Sequence, residues 1–421
     1  MSKAPCSVRW LVVVMAPIRT GESSECIRQL ISALAGVSVF GLSFGLLYPL
    51  QALQLEHAGY SATYIGLVAA MQPLGLVVSN FLLPTIAARI GVGKLLTICV
   101  VAISLVFAAY PFLPPTPFWF LLRFLHGALA SSLYVISEAI IIRLSLGDGS
   151  TRVLSIYTAA MQTTFGIGPL IILVVGVDGF AGFAIGAILT LVGGGIMILG
   201  GASKVDLYED NKEKRPFLSV LWQLRILLVS FAVFAFSDAV TADLLPVYGM
   251  KLNFSTSGAA MLLAAFLFGS TILQIPLSYL FSKAKDSHQL PMNVVAIAVS
   301  FVALVVLWDS ILVWPIIAVA GALTSSINTI ALTQLGKRLV GSDLISGTAS
   351  LTTVWGLTAL IATPIAGIGM DVAGPQALPY SIILFCVLSI CISLALFFGK
   401  SSRSRSAVDV LTASDDTSSR V

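Results

Sequence analysis

Four charged side chains stand inside long apolar runs of this chain: Arg123, Glu138, Asp238 and Asp243. An ion held in hydrocarbon costs at least roughly 2.5 kcal/mol on insertion scales, so each needs a partner or a purpose. The chemistry open to them is ion recognition and proton transfer. Arg123 offers a planar fork that suits a carboxylate or phosphate; the alternative is satisfaction by carbonyls of its own half. A buried carboxyl whose cationic neighbour comes and goes changes its affinity for a proton, which makes Asp238 the better proton carrier. Arg123 lies about six residues from the end of its run, roughly 9 Å deep, and Asp238 lies at similar depth. Equal depth would let the two meet if their helices face each other. Asp243, one turn before Pro246, reads as a solvated helix-end charge.

Neighbouring residues extend these candidates. Fifteen positions separate Arg123 from Glu138, a net helical rotation of about 60°, so both can face one side with Gly127, Ala130 and Tyr134 between them. His126, beside Arg123, is either a structural polar group or a titrating one. Glu138 falls near Arg89, Arg143 and Arg152, which leaves both a gate pair and a proton-carrying role open. The three histidines and five cysteines are too scattered for a metal or redox site, and no Walker A, GxSxG or HExxH motif occurs. Neither an ATPase nor a common hydrolase is written here, and no enzyme activity, metal, cofactor or nucleic-acid partner is expected.

The elements that must position these residues are membrane spans. Only 10% of the 421 residues are charged, 57% are hydrophobic and the mean hydropathy is +1.00, whereas soluble domains carry roughly 25% charged residues. Apolar runs of about 18 to 27 residues alternate with short charged clusters, the length that crosses a hydrocarbon core of roughly 30 Å. Their length and lack of period-two alternation predict helices near 30–51, 64–88, 95–113, 117–144, 151–175, 180–202, 221–245, 257–281, 291–308, 311–335, 343–368 and 377–399. Lys and Arg gather in alternate loops, with Lys251 alone on the other face, so both termini are expected on the cytoplasmic side of a bacterial inner membrane. The stretch Trp10 to Ala16 is too short to span, residues 1–29 read as a cytoplasmic segment without a signal peptide, and Met15 is an alternative start. Residues 400–421, rich in Ser, Asp and Arg, read as a disordered cytoplasmic tail. A charged linker at 203–220 divides the chain into two six-helix halves, 30–202 and 221–399.

The halves repeat. At an offset of 194 residues, Gly127-Ala128-Leu129-Ala130-Ser131-Ser132 falls on Gly321-Ala322-Leu323-Thr324-Ser325-Ser326, Ser61-Ala62-Thr63 on Ser255-Thr256-Ser257, and Arg89 on Lys283. A shift of six spans preserves topology, which predicts two parallel six-helix bundles around a central cleft whose ends open alternately. By the same offset Asn328 is the partner of Tyr134, and the two are expected to line that cleft from opposite halves.

At these residues the chain resembles the major facilitator superfamily, and within it the YcaD-type group of bacterial transporters, over nearly its whole length. In the loop after span two the family has Gly, three residues, Asp, Arg, one residue, Gly and then basic residues. Here Arg89, Gly91 and Lys94 match, while Pro84 and Ala88 replace the glycine and the acid; the second copy keeps Lys283. Arg123 with Gly127 four residues later is similar to the family's span four, and Tyr134 to Ala139, Pro246-Val247-Tyr248 and Gln274-Ile275-Pro276 resemble the YcaD-type group. Gly168-Pro169 is similar to the exporter-associated motif, with Thr164 in place of its first glycine. The resemblance implies the major facilitator fold and a proton-coupled secondary transporter that moves a small organic solute by alternating access, working as a monomer in the lipid bilayer. Arg123, His126, Tyr134, Asp238 and Asn328 would then line the solute and proton pathway, and Arg89, Gly91, Lys94, Glu138 and Lys283 would serve gating. Because spans four and seven of the family face the cleft from opposite halves, Arg123 and Asp238 would pair across it in one state and separate in the other. The competing class is a membrane-embedded sensor or scaffold without net transport.

Overall fold

Two serines 194 residues apart show how the sequence builds this fold. Ser61 and Ser255 each sit in extended backbone just before a helix and accept a bond from an amide three residues on, Tyr64 at 3.2 Å and Gly258 at 3.1 Å. Such a cap satisfies a donor that the first helical turn leaves free. The structure, a computed structural model, describes residues 21–115, 117–144, 150–201, 217–338 and 342–396. Residues 1–20, most of the linker, the expected tail, and the side chains of Arg143 and Arg152 lie outside the described residues.

The described helices are α1 (Gly21–His57), α2 (Ala62–Ile90), α3 (Val92–Ala109), α4 (Pro117–Leu144), α5 (Ser150–Val175), α6 (Ala181–Leu199), α7 (Phe217–Lys251), α8 (Thr256–Ile272), α9 (Gln274–Ser282), α10 (Asp286–Val306), α11 (Val313–Arg338), α12 (Ser342–Ala373) and α13 (Ala377–Leu396). No strand occurs among the described residues. Ten of these helices are long and apolar enough to cross a membrane. The two expected spans that differ lie near 151–175 and 257–281. In α5 the apolar stretch Ala160–Val175 is shorter, and the run expected as one span over 257–281 is the pair α8 and α9, bent by 48°. Pro276 explains the bend, because proline has no N–H for the carbonyl four residues back and its ring crowds that turn. The ladder resumes with the Leu277 amide on the Leu273 carbonyl at 3.2 Å.

Glycines set the packing inside each half. A side chain at Gly127 would run into the backbone of Gln72, and one at Gly321 into the backbone of Phe266. Likewise Gly75 faces the Phe124 carbonyl and Gly269 the Ala318 carbonyl. Every one of these pairs is related by the offset of 194, so α2 crosses α4 as α8 crosses α11. The halves meet through α2 on α12, α5 on α8 and α1 on α7. At the first contact the backbones touch, since Gly66 lies against Thr363 and Gly367 against Ala62.

Candidate functional site

Phe40, Phe44 and Tyr48, spaced four apart on α1, stand above one another because residues at that spacing share a helix face. Ring centroids are 4.1 Å apart for Phe40 and Phe44 and 5.3 Å apart for Phe44 and Tyr48. At one end of this ladder the Arg123 guanidinium lies over the Tyr48 ring, 4.4 Å from its centre, and its Nη2 donates to Asp243 Oδ1 at 2.5 Å. Arg123 is 0% exposed and Asp243 5%, so this is a dry ion pair linking α4 of one half to α7 of the other. The expected pairing of Arg123 with Asp238 is not what the structure shows. Two features explain the difference. Helix α7 continues to Lys251 before a turn at Asn253, which adopts a positive φ of 68°, and Ser255 then caps α8. Asp243 is therefore inside the helix, not a solvated end charge. Five residues along a helix are also about 140° of rotation, so Asp238 and Asp243 face different neighbours.

Asp238, half-buried, instead accepts a bond from the Trp355 indole N–H of α12 at 3.1 Å. At the other end of the ladder Tyr134 meets Phe40, with centroids 4.7 Å apart. Glu138 Oε1 faces the hydroxyls of Tyr134 at 3.2 Å and Tyr157 at 3.0 Å, and those hydroxyls lie 2.7 Å from each other. With one proton on each phenol, at most two of these three contacts are donated at once. Glu138 thus has neutral partners where a gate pair with arginine was one expectation; Arg89 is exposed and the side chains of Arg143 and Arg152 are not described.

The remaining candidates divide. His126 is fully buried between Phe44 and Phe107, with centroids at 5.3 and 5.6 Å, and neither ring nitrogen has a hydrogen-bond partner among the described residues. Asn328 is half-buried on α11, one residue before Thr329, whose hydroxyl is bonded to the Gln274 amide. Gly91 closes α2 with a φ of 85°, and its amide bonds the Ala87 carbonyl at 2.9 Å, so the loop needs glycine there to turn. Arg89, Lys94 and Lys283 are exposed, and Lys283 sits 5.0 Å from the Tyr279 ring centre. None of the three is brought to Arg123, Asp238 or Glu138.

A set of ties that sequence reasoning missed lies beyond the Arg123–Asp243 pair. Asp371 of α12 accepts from the Ala62 and Thr63 amides at 3.0 and 2.7 Å, capping α2 from the opposite half. Lys251 Nζ lies 3.3 Å from Glu56, His57 bonds the Thr256 hydroxyl at 2.9 Å, and the Thr363 hydroxyl donates to the Gly66 carbonyl at 3.1 Å. The signal was present in Ser61, a capping residue whose helix still has further amides to satisfy; which distant acid would serve them was not.

A sequence profile described as Major Facilitator Superfamily matches residues 33–344. This chain belongs to the Major Facilitator Superfamily. A curated relative, the uncharacterized MFS-type transporter YfkF of Bacillus subtilis (strain 168), is 25% identical over 252 residues, which cover 59% of this chain and 64% of that protein. The chain therefore matches less than two thirds of the relative's length. Among solved structures, the nucleoside transporter NupG superposes with a TM-score of 0.65 at 13% identity, covering 89% of this chain and 98% of the other. A D-xylose-proton symporter gives 0.67 at 12% identity, with 87% and 96% covered. At these identities the likeness shows the fold of a major facilitator transporter, a multi-pass membrane protein.

Proposed function

We propose that this superfamily member is a proton-coupled secondary transporter of a small organic solute that works by alternating access as a monomer in a bacterial inner membrane. The reading takes the chain as twelve spans in two six-helix halves, 30–202 and 221–399, with both termini cytoplasmic. The observation that carries it is the concentration of ties between the halves at one end: the Asp371 cap on α2, the Lys251–Glu56 pair and the buried Arg123–Asp243 pair. By the charge distribution that end faces outward, so this state is closed to the outside, and breaking the ties would open it.

Asp238 is the proton carrier in this reading. It is a carboxylate within a span, held by one indole N–H and five residues from Asp243 on the same helix, so a rearrangement that frees Arg123 from Asp243 would change its surroundings. The fold likeness to a D-xylose-proton symporter is consistent with proton coupling. The test is solute-dependent proton movement in proteoliposomes under an imposed pH gradient. Wild type is expected to show solute-dependent proton movement, Asp238→Asn to lose the coupling, and Arg123→Ala to lose transport. Solute movement indifferent to the gradient would leave a uniporter, and no movement across a broad solute screen would remove transport itself.

A further inference from the structure

The charge balance inside the bundle differs from what four intramembrane ions suggest. Among the four, Arg123 is the one cation, and it is withdrawn from any solute path: fully buried, with Nη2 bonded to Asp243 and the Tyr48 ring over it, while its Nε and Nη1 have no partner among the described residues. Of the four, that leaves Asp238 and Glu138, both half-buried and both acids. Neither appears in an ion pair among the described residues. Each uses one oxygen toward a neutral donor, Asp238 Oδ2 toward Trp355 and Glu138 Oε1 toward the two tyrosines. Among the described residues no donor reaches their second oxygens, and neither is among the buried atoms lacking a partner, so both keep some exposure.

The groups around these acids are aromatic. Trp355 stands against Asp238, while Tyr134, Tyr157 and the half-buried Phe40 stand beside Glu138. Ring faces carry negative potential and attract cations, most strongly where water is scarce. An anion approaching either acid would meet like charge and ring faces.

Resting on the transport reading above, we infer that the solute is an organic cation with an apolar or aromatic body, its charge taken by Asp238 with Trp355 as the adjoining ring and Glu138 as the second acid. The choice of Asp238 follows from geometry: its partner is a neutral donor on the same half, so a cation can approach without first breaking an ion pair.

The experiment measures equilibrium binding to the purified full chain by calorimetry, with protein-free micelles subtracted, using two probes of equal shape and opposite charge, tetraphenylphosphonium and tetraphenylborate. Because no gradient or flux is involved, failure here is separate from failure of the proteoliposome assay. The expected result is binding of the cation at least about tenfold tighter than the anion, with about a tenfold loss in Asp238→Asn and a several-fold loss in Trp355→Leu. Asp238→Glu, which restores the charge, should recover most of the affinity. Equal or tighter binding of the borate, binding of neither probe, or an unchanged affinity in folded Asp238→Asn would each overturn the inference. The probe preference of wild type stands whether or not a variant folds.

Discussion

The two ends of the aromatic ladder on α1 hold their acids in opposite ways. At Tyr48, Asp243 is locked to a guanidinium at 2.5 Å with almost no exposure. At Phe40, some two turns away, Glu138 rests on two phenols that share their protons among three contacts. A dry ion pair is rigid and intolerant of losing one member, because the survivor is a buried unpaired charge. Hydroxyls around a half-buried acid can exchange partners at small cost. The first end therefore ties the halves together, whereas the second can rearrange, which is what the solute contact proposed above asks of Glu138.

The largest expected effect breaks the locked end. Asp243→Ala leaves Arg123 charged and unpaired in the interior and should cost about 3–5 kcal/mol of stability, read as a large drop in thermal unfolding temperature in detergent. The double replacement Arg123→Met with Asp243→Leu should recover most of that loss while still failing in transport. A single variant as stable as wild type would show that the pair does not hold the halves.

Next in size is a test of the repeat. Gly127→Ala and Gly321→Ala each push a methyl into backbone across an equivalent helix crossing, and each should cost about 1–3 kcal/mol. Similar losses in the two variants are expected; a loss in one alone would mean that only one half relies on its close crossing.

Asp371→Asn weakens the cap that one half places on the other. The expected change is up to about 1 kcal/mol, enough to raise the population separated at that end several-fold. Spin labels at Ala58 and Val372, both exposed, would report it as a longer distance component. An unchanged distribution would remove Asp371 from the tie.

Smallest is Tyr157→Phe, which takes one phenol from Glu138 and should cost about 0.5–1.5 kcal/mol. The adaptable end predicts that stability changes little more than this while solute affinity shifts; the reverse pattern would make the tyrosine pair structural.

Much of the fold was legible in the sequence because its determinants are local. Apolar run length placed the long helices, and Ser61 and Ser255 marked two helix starts through their own side chains. The offset of 194 survived because Gly127 and Gly321 occupy crossings that admit no side chain, a requirement visible as residue type. Gln274-Ile275-Pro276 even contained the cause of the break between α8 and α9, although run length alone does not register it.

Residue types and their spacing are enough to write a chain of repeated apolar helices with four charges that need partners. How those partners are found depends on the packing of the helices. Arg123 had two acids on α7 within reach, five residues apart, and the choice of Asp243 follows from helix rotation and from a helix end eight residues further on at Lys251. The bond from Trp355 to Asp238 spans 117 positions and the cap from Asp371 to Ala62 spans 309. Partners so distant are set by how helices pack, and side-chain periodicity in one segment does not record the face that another segment turns toward it.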